Sequence, residues 1–380
     1  MNGTLKNIFA AACGTVLLCG SMQPLYAGNR DRNGQSGALE LLINPWAQGT
    51  GTFGANSSNV RGLEAMKNNI GGLGTLTGTE IGISHMRLLS GSGVSVNNLA
   101  FGQSFGGSGV LGVNIMALGF GDIAATTFDN PDPTGSYSPQ FLNFQVGYAK
   151  EFSNAIHAGV AFTYVSEQIA SIRASGACFD AGVQYQTGKR NNFHFGITLR
   201  NVGTNMRFGG SGLYFNTPLP ENEGQTFNSS VPSEKFQMPT YLNIATSYDF
   251  YLDEKKLKNP ETDEPKHRLT AMLGFTSNST KQDFLHAGLE YGFRERFMVR
   301  AGYRYERMIN DADERATFYT GIAAGATVAA NIGQNGPRLM LDYAYQPTAR
   351  PANGCHTISL RLNLVKRAAA APATDGSSSN

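Results

Sequence analysis

The sequence predicts an all-β fold, a transmembrane antiparallel β-barrel of about 14 strands with an N-terminal hatch segment in its lumen. Three observations carry that expectation: segments that alternate apolar and polar residues over bilayer-spanning lengths, connections that alternate short and long, and an export signal with no apolar helix behind it. Of the 380 residues, 46 are Gly, 23 Phe and 15 Tyr, with a single Trp. Charged residues make up 15 % of the chain, against about 25 % in an average soluble domain. The net charge is only +2, so no field steers the chain to nucleic acid, and no basic run suggests it. Four Cys with no CxxC pair offer neither a disulfide scaffold nor a zinc site. No cofactor is expected.

Residues 1–27 read as a signal peptide, with Lys6, an apolar stretch from Ile8 to Leu18, and Leu25-Tyr26-Ala27 before the cleavage point. A membrane anchor needs about 20 apolar residues, and Gly14 and Gly20 interrupt this run. A lipoprotein reading would use Cys19, but Leu18 is bulky for the residue before it. Residues 28–78 form the N-terminal segment and hatch: Asn44-Pro45-Trp46, a Gly-rich stretch, and a short helix from Val60 to Asn68. Asn59 is placed to cap that helix, with Arg61 and Lys67 on its polar side. Being too polar to face lipid, this segment is expected inside the barrel.

The barrel is expected over 79–366. Its clearest segment places Phe297, Val299, Ala301, Tyr303 and Tyr305 on one face and Arg300, Arg304 and Glu306 on the other. Successive side chains of a strand point to opposite faces, so the pattern needs an apolar medium on one side and a wet one on the other. Residues 193–200 and 357–364 repeat it. The segments fall near 79–89, 94–105, 108–119, 140–152, 155–167, 176–187, 191–200, 237–250, 266–276, 283–293, 296–306, 315–329, 337–346 and 356–366. Most match the length of a tilted membrane strand, about twice that of a soluble one. Connections at 106–107, 153–154, 188–190 and 294–295 are tight, whereas 120–139 and 201–236 are long, as for periplasmic turns and external loops. The connection from Tyr251 to Lys266 breaks that rule, being long where a short turn is expected. Closure pairs every backbone group in lipid. The Ala/Ser-rich residues 367–380 are expected to form a disordered periplasmic tail.

Several pieces resemble a known family. Val60-Arg61-Gly62-Leu63-Glu64-Ala65-Met66 followed by Asn69-Ile70-Gly71-Gly72-Leu73 resembles the hatch of FadL-like barrels, and more closely that of the PorV/PorQ family. Gly119-Phe120-Gly121-Asp122-Ile123, Gly147 to Phe152 and Leu199-Arg200-Asn201-Val202-Gly203 extend the similarity over residues 37–366. That resemblance implies a FadL-like outer-membrane β-barrel component of type IX protein secretion. Its implied partners are the type IX translocon barrel, cargo C-terminal signal domains and attachment-complex proteins, in contact with outer-membrane lipid. The resemblance leaves open a shuttle role that binds cargo and a role that anchors an attachment-complex partner. A FadL-like channel for hydrophobic small molecules is the alternative function.

Catalysis would need a nucleophile, a base and an orienting group in reach of one another. His157, His194, His286, Asp180, Glu290, Asp342, Arg200, Arg300, Arg304 and Arg361 all fall on polar strand faces. Opposite charges in a lumen pair with each other and hold a plug, so no catalytic residue is assigned and no enzyme is expected. Cys178 and Cys355 lie on strands expected on nearly opposite walls, and a disulfide needs Cα atoms within about 7 Å, so two free thiols are favoured over a bond, which the exported compartment would permit. Partner-binding candidates are the loop residues Phe128, Tyr137, Phe208, Leu213, Tyr214, Phe215 and Phe227. Such aromatic loops either fold inward onto the hatch, form a docking face for a protein domain, or gate a ligand.

Overall fold

The computed structural model describes residues 32, 34–126, 131–218, 226–254, 265–333 and 336–364. The signal peptide, the tail from 367 onward and Phe128 lie outside the described residues.

Fourteen strands form one closed antiparallel barrel, as the alternation predicts: β1 (Thr79–Arg87), β2 (Ser95–Ser104), β3 (Val110–Gly119), β4 (Gln140–Ser153), β5 (Ile156–Ile169), β6 (Ile172–Thr187), β7 (Phe193–Gly203), β8 (Tyr241–Tyr251), β9 (His267–Asn278), β10 (Phe284–Phe293), β11 (Phe297–Glu306), β12 (Ile322–Asn331), β13 (Arg338–Gln346) and β14 (Cys355–Asn363). Each strand pairs with its sequence neighbours, and β1 pairs with β14 to close the cylinder. No sheet edge is left along the wall, which is what a bilayer requires of a β structure. No helix among the described residues is long and apolar enough to cross a membrane.

Alternation is visible in the burial. In β1, Glu80, Gly82, Ser84 and Met86 point into the lumen, while Ile81 and Ile83 point out. Outward aromatics gather towards the two ends of the wall. Tyr148, Tyr185, Tyr248, Tyr291 and Phe297 lie towards one end, and Tyr164, Tyr303, Tyr305 and Tyr343 towards the other. These are the girdles that amphipathic rings form at the two membrane interfaces. Both ends of the barrel chain, Thr79 and Asn363, lie on the side of the short turns, so that side is periplasmic and the long loops face outward.

Three expectations about local structure are corrected. The strand expected over 315–329 begins only at Ile322, because Phe318 and Tyr319 leave the wall to line the lumen and Tyr319 bridges to Thr348. The connection expected over 168–175 contracts to Ala170 and Ser171, because β5 and β6 run on beyond the other strands. The helix expected from Val60 to Asn68 is a 3-10 turn Gly62–Glu64 followed by one helical turn, Ala65–Asn68, with no cap from Asn59. Lys67 is 3 % exposed, not on a solvated face, because the barrel surrounds this segment on all sides.

Candidate functional site

The hatch is a run of short turns between Leu39 and Thr75 that crosses the lumen. On the side of β1 to β5 it is held by an apolar seam. Trp46, Val60, Leu63, Met66, Ile70, Leu73 and Leu76 pack against Ala100, Val110, Ala149 and Ala161 of the wall. Glycines let the two backbones come this close. A Cβ at Gly82 would sit 2.7 Å from the Trp46 ring, one at Gly112 2.7 Å from the Met66 sulfur, and one at Gly302 2.6 Å from the Thr52 Cα. Much of the glycine content is therefore a mould for the plug.

On the side of β7 to β14 the lumen wall carries a chain of opposite charges. Arg361 meets the hatch carboxylate Glu64 at 3.3 Å, Asp342 at 3.4 Å and Glu80 at 3.8 Å. Arg300 joins Asp342 to Glu290, whose second oxygen reaches Arg268 at 2.9 Å. Arg268 continues to Asp249, which also meets His194 at 3.3 Å. Hatch polar groups tie into this wall: the Gln48 amide donates to Asp342 at 3.1 Å and the Gln346 amide donates to the Thr50 carbonyl at 3.0 Å. On β7, Arg200 pairs with Asp180 and donates to the Lys67 carbonyl and the Tyr241 hydroxyl. His286 lies between the Phe53 carbonyl and the Asn243 amide, partners that fix its neutral tautomer. These groups are committed to one another and to the hatch. Alternation reveals Glu80 as a lumen residue, but Glu40, Glu64 and Lys67 leave no such signal, because their burial depends on the surrounding wall.

Two cavities lie on opposite sides of the hatch. The periplasmic one, about 420 Å³, is lined by Arg61, Lys150, Glu151 and His157. The external vestibule, about 950 Å³, has an apolar sector at Ile43, Leu118, Phe120 and Phe141 and a polar one at Glu40, Lys67, Glu167 and Arg304. Burial pushes the Lys67 ammonium down to about 8, with Arg200 adding to the effect. Burial likewise pushes the Glu64 carboxyl up to about 7 against the pull of Arg361. Cys178 and Cys355 are free and buried.

The loop candidates separate into two sets. Phe208 turns inward, stacking near Phe236 at 5.6 Å between ring centres, over a cluster of Ala38, Leu41, Met206 and Met238. Beyond this root, Tyr214–Pro218 pairs with Thr226–Ser230 in a hairpin of its own. There Tyr214 is 60 %, Phe215 50 % and Phe227 47 % exposed. Register places Phe215 and Phe227 on one face of the hairpin and Tyr214 on the other. Leu213 and Tyr137 are half-buried, the latter in the hairpin that pairs Ile123–Ala125 with Gly135–Tyr137.

A closed 14-stranded wall with apolar outer face, aromatic girdles and a plugged, charged lumen defines an outer-membrane β-barrel. Residues 126–362 match the family of type IX secretion system membrane proteins PorP/SprF, and the chain belongs to that family. This supports the association with type IX secretion inferred from the resemblance, but the family matched is PorP/SprF and the narrower PorV/PorQ assignment is not supported. No curated protein matches the sequence. Among solved structures, the CymD monoaromatic hydrocarbon channel is similar over 86 % of this chain and 98 % of its own, at 11 % identity and a TM-score of 0.49. A Pseudomonas aeruginosa FadL homologue is similar over 83 % and 97 %, at 11 % identity and 0.47.

Proposed function

We propose that this protein is a plugged, non-enzymatic outer-membrane component of type IX secretion that docks a folded partner on its external loops. Its partner is a cargo C-terminal signal domain or a protein of the translocon or attachment complex. In this reading cleavage after Ala27 frees the mature chain for insertion. The observation that carries the reading is the hairpin strands with Tyr214, Phe215 and Phe227 exposed, on a loop whose root is locked to the hatch. Aromatic side chains on a positioned support are the residues that dominate protein interfaces. Leu213, at the foot of this hairpin, and Tyr137, in the hairpin of the 120–139 loop, serve as secondary contacts, and Phe208 packs in the root.

The test is capture of partners from mildly solubilised outer membranes by the tagged protein and by the Tyr214→Ser, Phe215→Ser, Phe227→Ser variant. Recovery of cargo signal domains or a translocon barrel by the parent alone supports the reading. A parent that carries only lipid or fatty acid sinks it. The apolar sector of the external vestibule favours a second reading, a FadL-like channel for hydrophobic small molecules. That reading requires the hatch to move, and liposomes containing the protein would then take up such solutes.

A further inference from the structure

Glu40 stands in the external vestibule on the turn Leu39–Leu42, 3 % exposed, and among the described residues no N–H or O–H of another residue donates to its carboxylate. Glu167, near the external end of β5, is 4 % exposed, lines the same cavity and accepts the Ala38 N–H. The two carboxyls lie within hydrogen-bonding reach of each other. Two ionised carboxylates cannot face each other out of water, but one shared proton turns one of them into a donor. Burial, and then the charge of Glu167, push the Glu40 carboxyl up to about 8. Among the described residues, Lys67 is a cation whose field reaches Glu40, and it is shared with Asp180. On the far wall Arg304 is paired with Glu306 at 2.7 Å, and Lys281 stands beside them. Among the described residues the acidic pair thus has no arginine paired with it, unlike the carboxylates of the wall network.

A metal ion fits poorly. No group of three His, Cys, Asp or Glu side chains is placed to hold one among the described residues, and calcium takes about six to eight oxygens. An ammonium fits well, because its N–H groups satisfy both carboxylates where the single proton now stands. The cavity, about 950 Å³, lies in the size range of small-molecule sites, and its neighbouring sector is apolar.

We propose that the external vestibule is a binding site for a small amphiphilic amine, its ammonium between Glu40 and Glu167 and its apolar body against Ile43, Leu118, Phe120 and Phe141. On binding, Glu40 releases the shared proton to solvent while the ammonium keeps its own. One positive charge enters and one leaves, so the local balance of Glu40, Glu167 and Lys67 is unchanged. Affinity therefore rises with pH while Glu40 still carries the shared proton, levels off once it does not, and falls only when the amine loses its own.

The experiment is calorimetric titration of the full-length protein in nanodiscs with 4-phenylbutylamine, 4-phenylbutanol and 4-phenylbutanoate, after subtraction of empty nanodiscs. The amine is expected to bind about tenfold or more tighter than the alcohol, with about one proton released, read from two buffers of different ionisation heat. Glu40→Gln is expected to weaken the amine about 10- to 100-fold and leave the alcohol unchanged. Equal affinity for all three probes, preference for the carboxylate, or binding without proton release would overturn the proposal. If Glu40→Gln does not assemble, as read by heat-dependent gel migration, the parent's probe order and proton release decide alone.

Discussion

The two sides of the barrel hold the same hatch by different means. From β1 to β5 the plug is pressed on the wall through Leu63, Met66 and Ile70, with glycines such as Gly102, Gly112 and Gly147 receiving them. From β8 round to β14 it is tied by polar and charged side chains such as Arg361, Asp342 and Gln48. Apolar packing tolerates no gap but gives no orientation, because dispersion and burial are non-directional. The charged side orients, since each ion pair fixes a partner, but it contributes little net stability once desolvation is counted. Trp46, the single tryptophan of the chain, is fully buried where the two seams meet, against Gly82 and beside Arg361. Its emission therefore reports both.

Breaking the charged seam should have the largest effect. Arg361→Met leaves Glu64, Glu80 and Asp342 around a missing cation, a loss of about 3–5 kcal/mol. The Trp46 emission should shift to the red at lower urea than in the parent. A parent-like curve would mean the hatch is held by packing alone. Leu63→Ala, on the apolar side, should cost about 2–5 kcal/mol through the cavity it leaves, with the same reporter. The difference between the seams sharpens in a double variant, whose coupling energy shows whether they act as one unit.

A smaller effect comes from pH. Glu40 holds its proton to about pH 8 and Glu64 to about 7, whereas unfolded both release it near 4.5. The fold binds more protons than the unfolded chain in that interval, so these groups make the hatch less stable as pH rises through it. Hydrogen-exchange protection of hatch amides should fall from pH 4.5 to 8 after correction for intrinsic rates. Glu40→Gln should flatten the slope, and an unchanged slope would remove Glu40 from the account. Least of all, the Tyr214→Ser, Phe215→Ser, Phe227→Ser variant should change stability by no more than about 0.5 kcal/mol, because these exposed side chains are not part of the packed core. A larger loss, measured by the same urea curve, would mean that these aromatics pack onto the plug.

Most of the wall was legible in the sequence. Alternation such as Phe297 to Glu306 has one physical source, a sheet between lipid and a wet lumen, and it placed all 14 strands. It erred where a segment had alternation but another task, as at Phe318 and Tyr319, which turn in over the vestibule. The lumen charges His194, His286, Asp180, Glu290, Asp342, Arg200, Arg300, Arg304 and Arg361 were legible as lumen-facing for the same reason. Their partners were not. The long-loop aromatics were legible as a group, but not as a packed root at Met206 and Phe208 and an exposed hairpin carrying Tyr214 and Phe215.

By itself, then, the sequence determined the barrel, its strand number and the face of each wall residue, because a two-residue period is a local property that lipid makes unambiguous. The tertiary structure decided what fills the cylinder: which glycine receives which hatch side chain, which arginine meets Glu64, and that Glu40 faces Glu167. Those pairings join residues from 40 to 361 across the lumen, and only the closed wall brings them within reach. No period records a contact made between segments so far apart in the chain.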